Sequence, residues 1–289
     1  MKNIGKTIRD LRESKGISQT QLSNGILSKA QMSKFENGLT TVSADKLIAM
    51  LEQLHITLAE FGHILNNQNQ QYEREILADI TKAIINENNG QANLVRERAE
   101  QHLLKQPGLY NHLMLIMVNA MICSMNDQEL NKKDIAFLSD YLFRVEEWTR
   151  YELILFGNTM SVLPLTTVNA LTRELAIKTE DARELESNLT LIVNLLYNAV
   201  ELDLIAEDEK SANTFLRIMK NINVGEELIS ERYLIAYAQA LYNYRVDPST
   251  DHESKIDRLL EVQKLINSND FYLFYKGQAD IFKKETKKP

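Results

Sequence analysis

Residues 28–38 read SKAQMSKFENG, and this stretch decides how the start of the chain folds. Ser28 is a good helix cap and Asn37-Gly38 a good left-handed stop, so the residues between them form one short helix. Met32 and Phe35 are apolar and need burial, which leaves Lys29, Ala30, Gln31 and Lys34 facing outward. The same logic extends on both sides. Ile4, Ile8 and Leu11 share one face of a first helix that stops at Gly16, and Ser18 caps a second helix containing Leu22. Downstream, Ser43 caps a fourth helix with Leu47, Met50, Leu51 and Leu54 on one side. A fifth follows Thr57, with Leu58, Phe61 and Leu65. Residues 1–65 are thus expected to be a small five-helix domain.

Composition supports helices throughout. Of 289 residues, 44% are hydrophobic and 25% charged, the balance of a globular protein. Only 10 glycines and 4 prolines leave little room for the tight turns of an all-β fold. The longest apolar run, LMLIMVNAMIC at 113–123, is broken by Asn119 and is too short to span a bilayer. The opening MKNIGKTIRDLRESKG has no continuous apolar core and does not read as a signal peptide. A single cysteine, Cys123, has no partner for a disulfide and reads as a small buried hydrophobe. Together these features predict a cytoplasmic protein with no membrane segment. The net charge of −7 is uneven: residues 1–65 carry eight Lys/Arg and six Asp/Glu, a net +2, which leaves −9 for the remainder. An acidic body with a mildly basic head suggests that only the head meets a polyanion.

The polar stretch NNQNQQY at 66–72 is the expected linker or helix start. Beyond it, residues 73–289 form a succession of amphipathic segments separated by NENNG at 86–90, QPG at 106–108, MND at 125–127, FGN at 156–158, Pro164, Gly225 and DPST at 247–250. Short links force antiparallel pairs, giving a bundle or, as favoured here, a helical solenoid. ERYLIAYAQALYNYR, DPST and ESKIDRLLEVQKLI have the form of one tetratricopeptide-like pair, although no clean 34-residue period runs through the chain.

The outward face of the third helix suits DNA. Gln31 can contact an adenine edge through two bonds, Lys29 a guanine or phosphate, and Ala30 a thymine methyl, with Ser28 and Lys34 beside them. Gln19, at the start of the second helix, is placed for phosphate. Gln19, Leu22, Ser28, Met32, Phe35 and Glu36-Asn37-Gly38 together resemble the helix-turn-helix of the XRE/Cro-like family. The turn GILSKAQ is one residue shorter than usual there. With KLIAMLEQLHITLAEF at 46–61 and DYLFRVEEWTRYELILFGN at 140–158, the chain resembles the Rgg (Rgg/GadR/MutR) transcription regulators. That resemblance implies DNA contacts from the first helix, here Arg9 and Arg12, and a homodimer. It also implies that a helical-repeat domain binds a short, mostly apolar, imported signalling peptide, as in quorum sensing. Contact with RNA polymerase is a further implied partner.

Such a peptide needs apolar walls, amides for its backbone and a cation for its carboxylate. Trp148, Arg150 and Tyr151 are expected within one helical turn. Asn194 and Asn198 lie four apart, and Arg232, Tyr233 and Tyr237 form a third cluster. The resemblance places Asn198 and Tyr237 at peptide-contacting positions, whereas Arg150 rests on its chemistry alone. The competing reading makes Trp148 a packing residue and the tyrosines the large residues of a repeat. The five histidines, His55, His63, His102, His112 and His252, show no metal-ligand spacing. No phosphate loop, nucleophile elbow or paired-carboxylate motif is present, so neither cofactor nor catalysis is expected. The rival functions are a repressor whose helical body is a protein scaffold without a peptide ligand, and a DNA-binding head fused to an enzyme.

Overall fold

The computed structural model describes residues 3–65, 68–179 and 186–286, and every regular element among them is a helix. The chain divides into two compact units, Met1–Ala83 and Ile84–Pro289.

The first unit contains α1 (Ile4–Ser14), α2 (Gln19–Ser23), α3 (Lys29–Glu36), α4 (Ala44–Gln53), α5 (Leu58–Leu65) and most of α6 (Gln68–Ile85). Ser18 and Ser28 cap α2 and α3 as expected, each in a reciprocal capping box. Ile8, Leu22, Met32, Phe35, Met50, Leu51, Leu54 and Phe61 form one buried core. Each such burial contributes roughly 1.5–3 kcal/mol, far more than the helix propensity of these short segments. Ile4 and Leu58, expected on the inner face, are exposed at the first turns of α1 and α5. Gly5 fixes how closely α1 crosses α3: a Cβ there would lie 1.8 Å from the Phe35 carbonyl oxygen. The expected linker at 66–72 falls at the beginning of α6; residues 66 and 67 lie outside the described residues, and helix runs from Gln68. The division between the units comes near the end of that helix.

The second unit runs α7 (Asn89–Lys105), α8 (Leu109–Met125), α9 (Lys132–Arg144), α10 (Arg150–Gly157), α11 (Leu165–Lys178), α12 (Glu186–Ile205), α13 (Glu209–Asn221), α14 (Ile229–Val246), α15 (Thr250–Leu265) and α16 (Asn269–Thr286). Helices touch mainly their neighbours in sequence, α12 with α13, α13 with α14, α14 with α15 and α15 with α16, and α12 also meets α14. This nearest-neighbour pattern is that of a solenoid of helix pairs. Every breaker read from the sequence separates two helices.

Two expectations need correction. Asn188–Ile205 of α12 is long and apolar enough, by length and composition, to span a bilayer, contrary to the sequence reading. Its apolarity reflects position: α12 packs against α10, α11, α13 and α14, so Ile192, Val193, Leu196, Ala199 and Val200 are all buried. The second correction concerns residues 145–149. They break the chain between α9 and α10, so Trp148 is in a connection and not on a helix.

Candidate functional site

In the first unit, α3 is stiffened at both ends. The Ser28 hydroxyl accepts from the Gln31 amide at 3.3 Å, and Gln31 Oε1 accepts from the Ser28 N–H at 3.0 Å. At the other end Gly38, at φ +72, lets its own N–H reach the Phe35 carbonyl and the Leu39 N–H reach that of Lys34, both at 2.9 Å. Met32 and Phe35 fasten the inner face, and Ser28, Lys29, Ala30, Gln31 and Lys34 stand exposed on the outer one. Gln31 differs from the expectation in one respect. Its carbonyl oxygen already serves the cap, so only its NH2 group is available outward unless the box opens.

Arg12 and Gln19 were expected to meet DNA; the structure ties both to Glu36, with Arg12 buried and Gln19 half-buried. Arg12 is 6% exposed and grips Glu36 through two bonds, Nε to Oε1 at 2.7 Å and Nη2 to Oε2 at 2.9 Å. It also donates to the Ile17 carbonyl at 2.8 Å. Gln19 Nε2 donates to Glu36 Oε2 at 2.7 Å. The hydrogen bond to Glu36 holds the Arg12 guanidinium above its ordinary pKa. One carboxylate thus ties α1 and α2 to the end of α3. Glu36 escaped the sequence reading, yet it carried a signal. An acid in the last turn of a helix opposes the helix dipole and so asks for a cationic partner. Arg9 is exposed and pairs with Glu13 at 2.9 Å.

In the second unit the expected groove residues do not all converge. Trp148 is 1% exposed; its backbone N–H donates to the Lys178 carbonyl at 2.7 Å and its indole N–H to that of Leu142 at 3.2 Å. It packs edge-on to Phe156 and forms no groove wall. Thr149 then starts α10 through a capping box with Glu152, which puts Arg150 on an exposed first turn. Tyr151 meets the ring of Tyr110 edge-to-face at 5.1 Å between centroids. Trp148, Arg150 and Tyr151 therefore do not share one helical face.

The α12 and α14 residues fare differently. Tyr237 is fully buried, and its hydroxyl donates to the Tyr275 carbonyl at 2.9 Å. Its ring stacks on Tyr233, within a cluster that includes Tyr197 and Tyr275. Burial raises the phenol of Tyr237 and pushes that of Tyr275 up to about 12, so these rings stay neutral and act as packing. Asn194 and Tyr233 line a cavity of about 320 Å³ between α12, α14, α15 and α16, within the size range of ligand pockets. Glu231, Thr190 and Gln263 line it as well, and the sequence reading had missed all three. Asn198 is half-buried and Arg232 exposed, and neither borders this cavity. Asn194 Nδ2 donates to the Thr190 carbonyl at 2.7 Å, which turns its amide along its own helix.

Comparison with known proteins extends over both units. Residues 95–277 match the family model of the C-terminal domain of HTH-type transcriptional regulator Rgg, and residues 8–61 match a helix-turn-helix model. The SHP pheromone receptor Rgg2 of Streptococcus dysgalactiae has the same fold, with a TM-score of 0.79 at 24% identity over 98% of this chain and 99% of that one. PrgX, solved as its cCF10 complex, gives a TM-score of 0.74 at 17% identity over 96% of this chain and 99% of its own.

Proposed function

Since the chain belongs to the Rgg family of helix-turn-helix transcriptional regulators, we propose that α3 reads operator DNA and that a short peptide on the helical body controls this binding. The observation that carries the DNA half is the exposed face of α3, with Lys29, Ala30, Gln31 and Lys34 on a helix locked by a cap, a glycine stop and a buried Glu36. A rigid helix of this kind presents donors to base edges in the major groove at little entropic cost. Arg9 adds a phosphate contact from α1 by releasing Glu13, whereas Arg12 and Gln19 position α3 without touching DNA. The peptide half is supported by the cavity in the body and by the peptide-bound relative. A homodimer would present two α3 helices to a two-fold operator in the cytoplasm, with peptide binding favouring one of its conformations and its contact with RNA polymerase.

Selection from random duplexes followed by anisotropy titration tests the reading. Gln31→Ala should weaken the selected operator by about 1–3 kcal/mol and relax one base pair. Gln31→Glu keeps the capping oxygen but turns the outward donor into an acceptor, so it should keep α3 folded and still lose that base pair. Equal losses on operator and random DNA for both variants would remove Gln31 from base readout.

A further inference from the structure

The cavity between α12, α14, α15 and α16 has a charge opposite to the one expected of a carboxylate-binding groove. Among the described residues no Lys, Arg or His lines it, and Glu231 is its one acid. Glu231 is 6% exposed and accepts the Thr190 hydroxyl at 2.6 Å, so its carboxylate is held in place and largely shielded from water. Three apolar side chains share the cavity with it, Val262, Ile266 and Phe271, which remain open to solvent, beside the polar Asn194, Ser230, Gln263 and Ser268. The first turn of α14 is also here, and its N–H groups would attract an anion by themselves. Glu231 stands on that same turn and already supplies the negative charge, so a second carboxylate would be repelled at close range.

We propose that this cavity receives the amino-terminal end of the peptide, its ammonium group meeting Glu231 and its first apolar side chain lying against Val262, Ile266 and Phe271. This inference rests on the reading of the helical body as the peptide-binding domain, and deepens it by assigning an orientation. The carboxyl end then lies outside this cavity, and Arg232, exposed and not among the lining residues, has no role in it. Ammonium recognition by a shielded carboxylate is a charge-assisted hydrogen bond, which an uncharged amino terminus cannot replace.

The test uses the intact protein and a synthetic pool of random heptapeptides in three forms: free at both ends, amino-acetylated, and carboxy-amidated. Retained peptides are sequenced by mass spectrometry. The free and amidated pools should be retained alike, the acetylated pool at least about tenfold less, with an apolar first residue enriched. Glu231→Gln keeps an acceptor for Thr190 and should erase the difference between free and acetylated peptides. Equal retention of free and acetylated pools by the unaltered protein overturns the orientation while leaving the peptide site intact. So does loss confined to the amidated pool. No retention of any pool overturns the peptide-binding reading itself.

Discussion

Glu201 on α12 has its carboxyl pushed up to about 7 by burial, and its hydrogen bonds with Gln278 and Tyr197 offset only part of that shift. An unfolded glutamate titrates near 4.3, so the folded state holds this proton more tightly. Its contribution is therefore complete below about pH 4.3 and is lost as pH rises through 7, by at most about 4 kcal/mol. Asp203, raised to about 6 chiefly by burial, acts in the same direction. Glu201→Gln should raise the melting temperature at pH 8 and change it little at pH 4, read by circular dichroism. An equal shift at both pH values would show that the side chain's shape matters and its proton does not. Residues of this kind are hard to read from sequence, because Glu201 looks like any acid at the end of an apolar helix. Gln31 and Arg12 show the same limit: their chemistry was legible, but their hydrogen-bond partners are set by folding. Arg12 could be seen as a cation on α1. That Glu36 waits 24 residues later at its side was not visible.

Helices were more legible than residues, since caps and stops are local. Ser18, Ser28 and Gly38 each sit at the terminus predicted, and the body's breakers separate the helices they were expected to separate. The failure at Trp148 is also local. Thr149 and Glu152 form a capping box inside a segment whose apolar spacing looked continuous, and the box outweighed the periodicity. Gly5 is the opposite case, a glycine with no turn to justify it. It lies within α1, where its missing Cβ allows the backbone to press on Phe35 of α3. Gly5→Ala should therefore part α1 from α3 and destabilise the first unit by about 1–3 kcal/mol or more, despite the better helix propensity of alanine. Hydrogen exchange should show earlier opening of α1 and α3 with α14 unaffected. A variant as stable as the parent would mean that the crossing adjusts freely.

At the scale of the whole molecule, α16 has more apolar surface than one face can bury. Tyr275, Ala279 and Phe282 point inward, yet Leu273 is 65% exposed and Phe274 57% exposed on the far side. Gly277 lies between them around the helix and has no neighbouring atom within 4 Å of where its Cβ would be, so another backbone could approach closely there. A helix apolar on two faces needs cover on both. A second copy of the chain is the simplest cover, and the two-fold operator proposed above would require the same arrangement, because one short helix on DNA contacts too few base pairs for useful affinity. The intact chain should sediment as a dimer at micromolar concentration. Leu273→Asp with Phe274→Asp places two charges on the outer face and should yield a monomer with an unchanged helical spectrum. Operator binding should then weaken by at least about tenfold, as each head binds alone and the gain from linking two sites disappears. A double variant that still sediments as a dimer would put the two-fold contact on another surface.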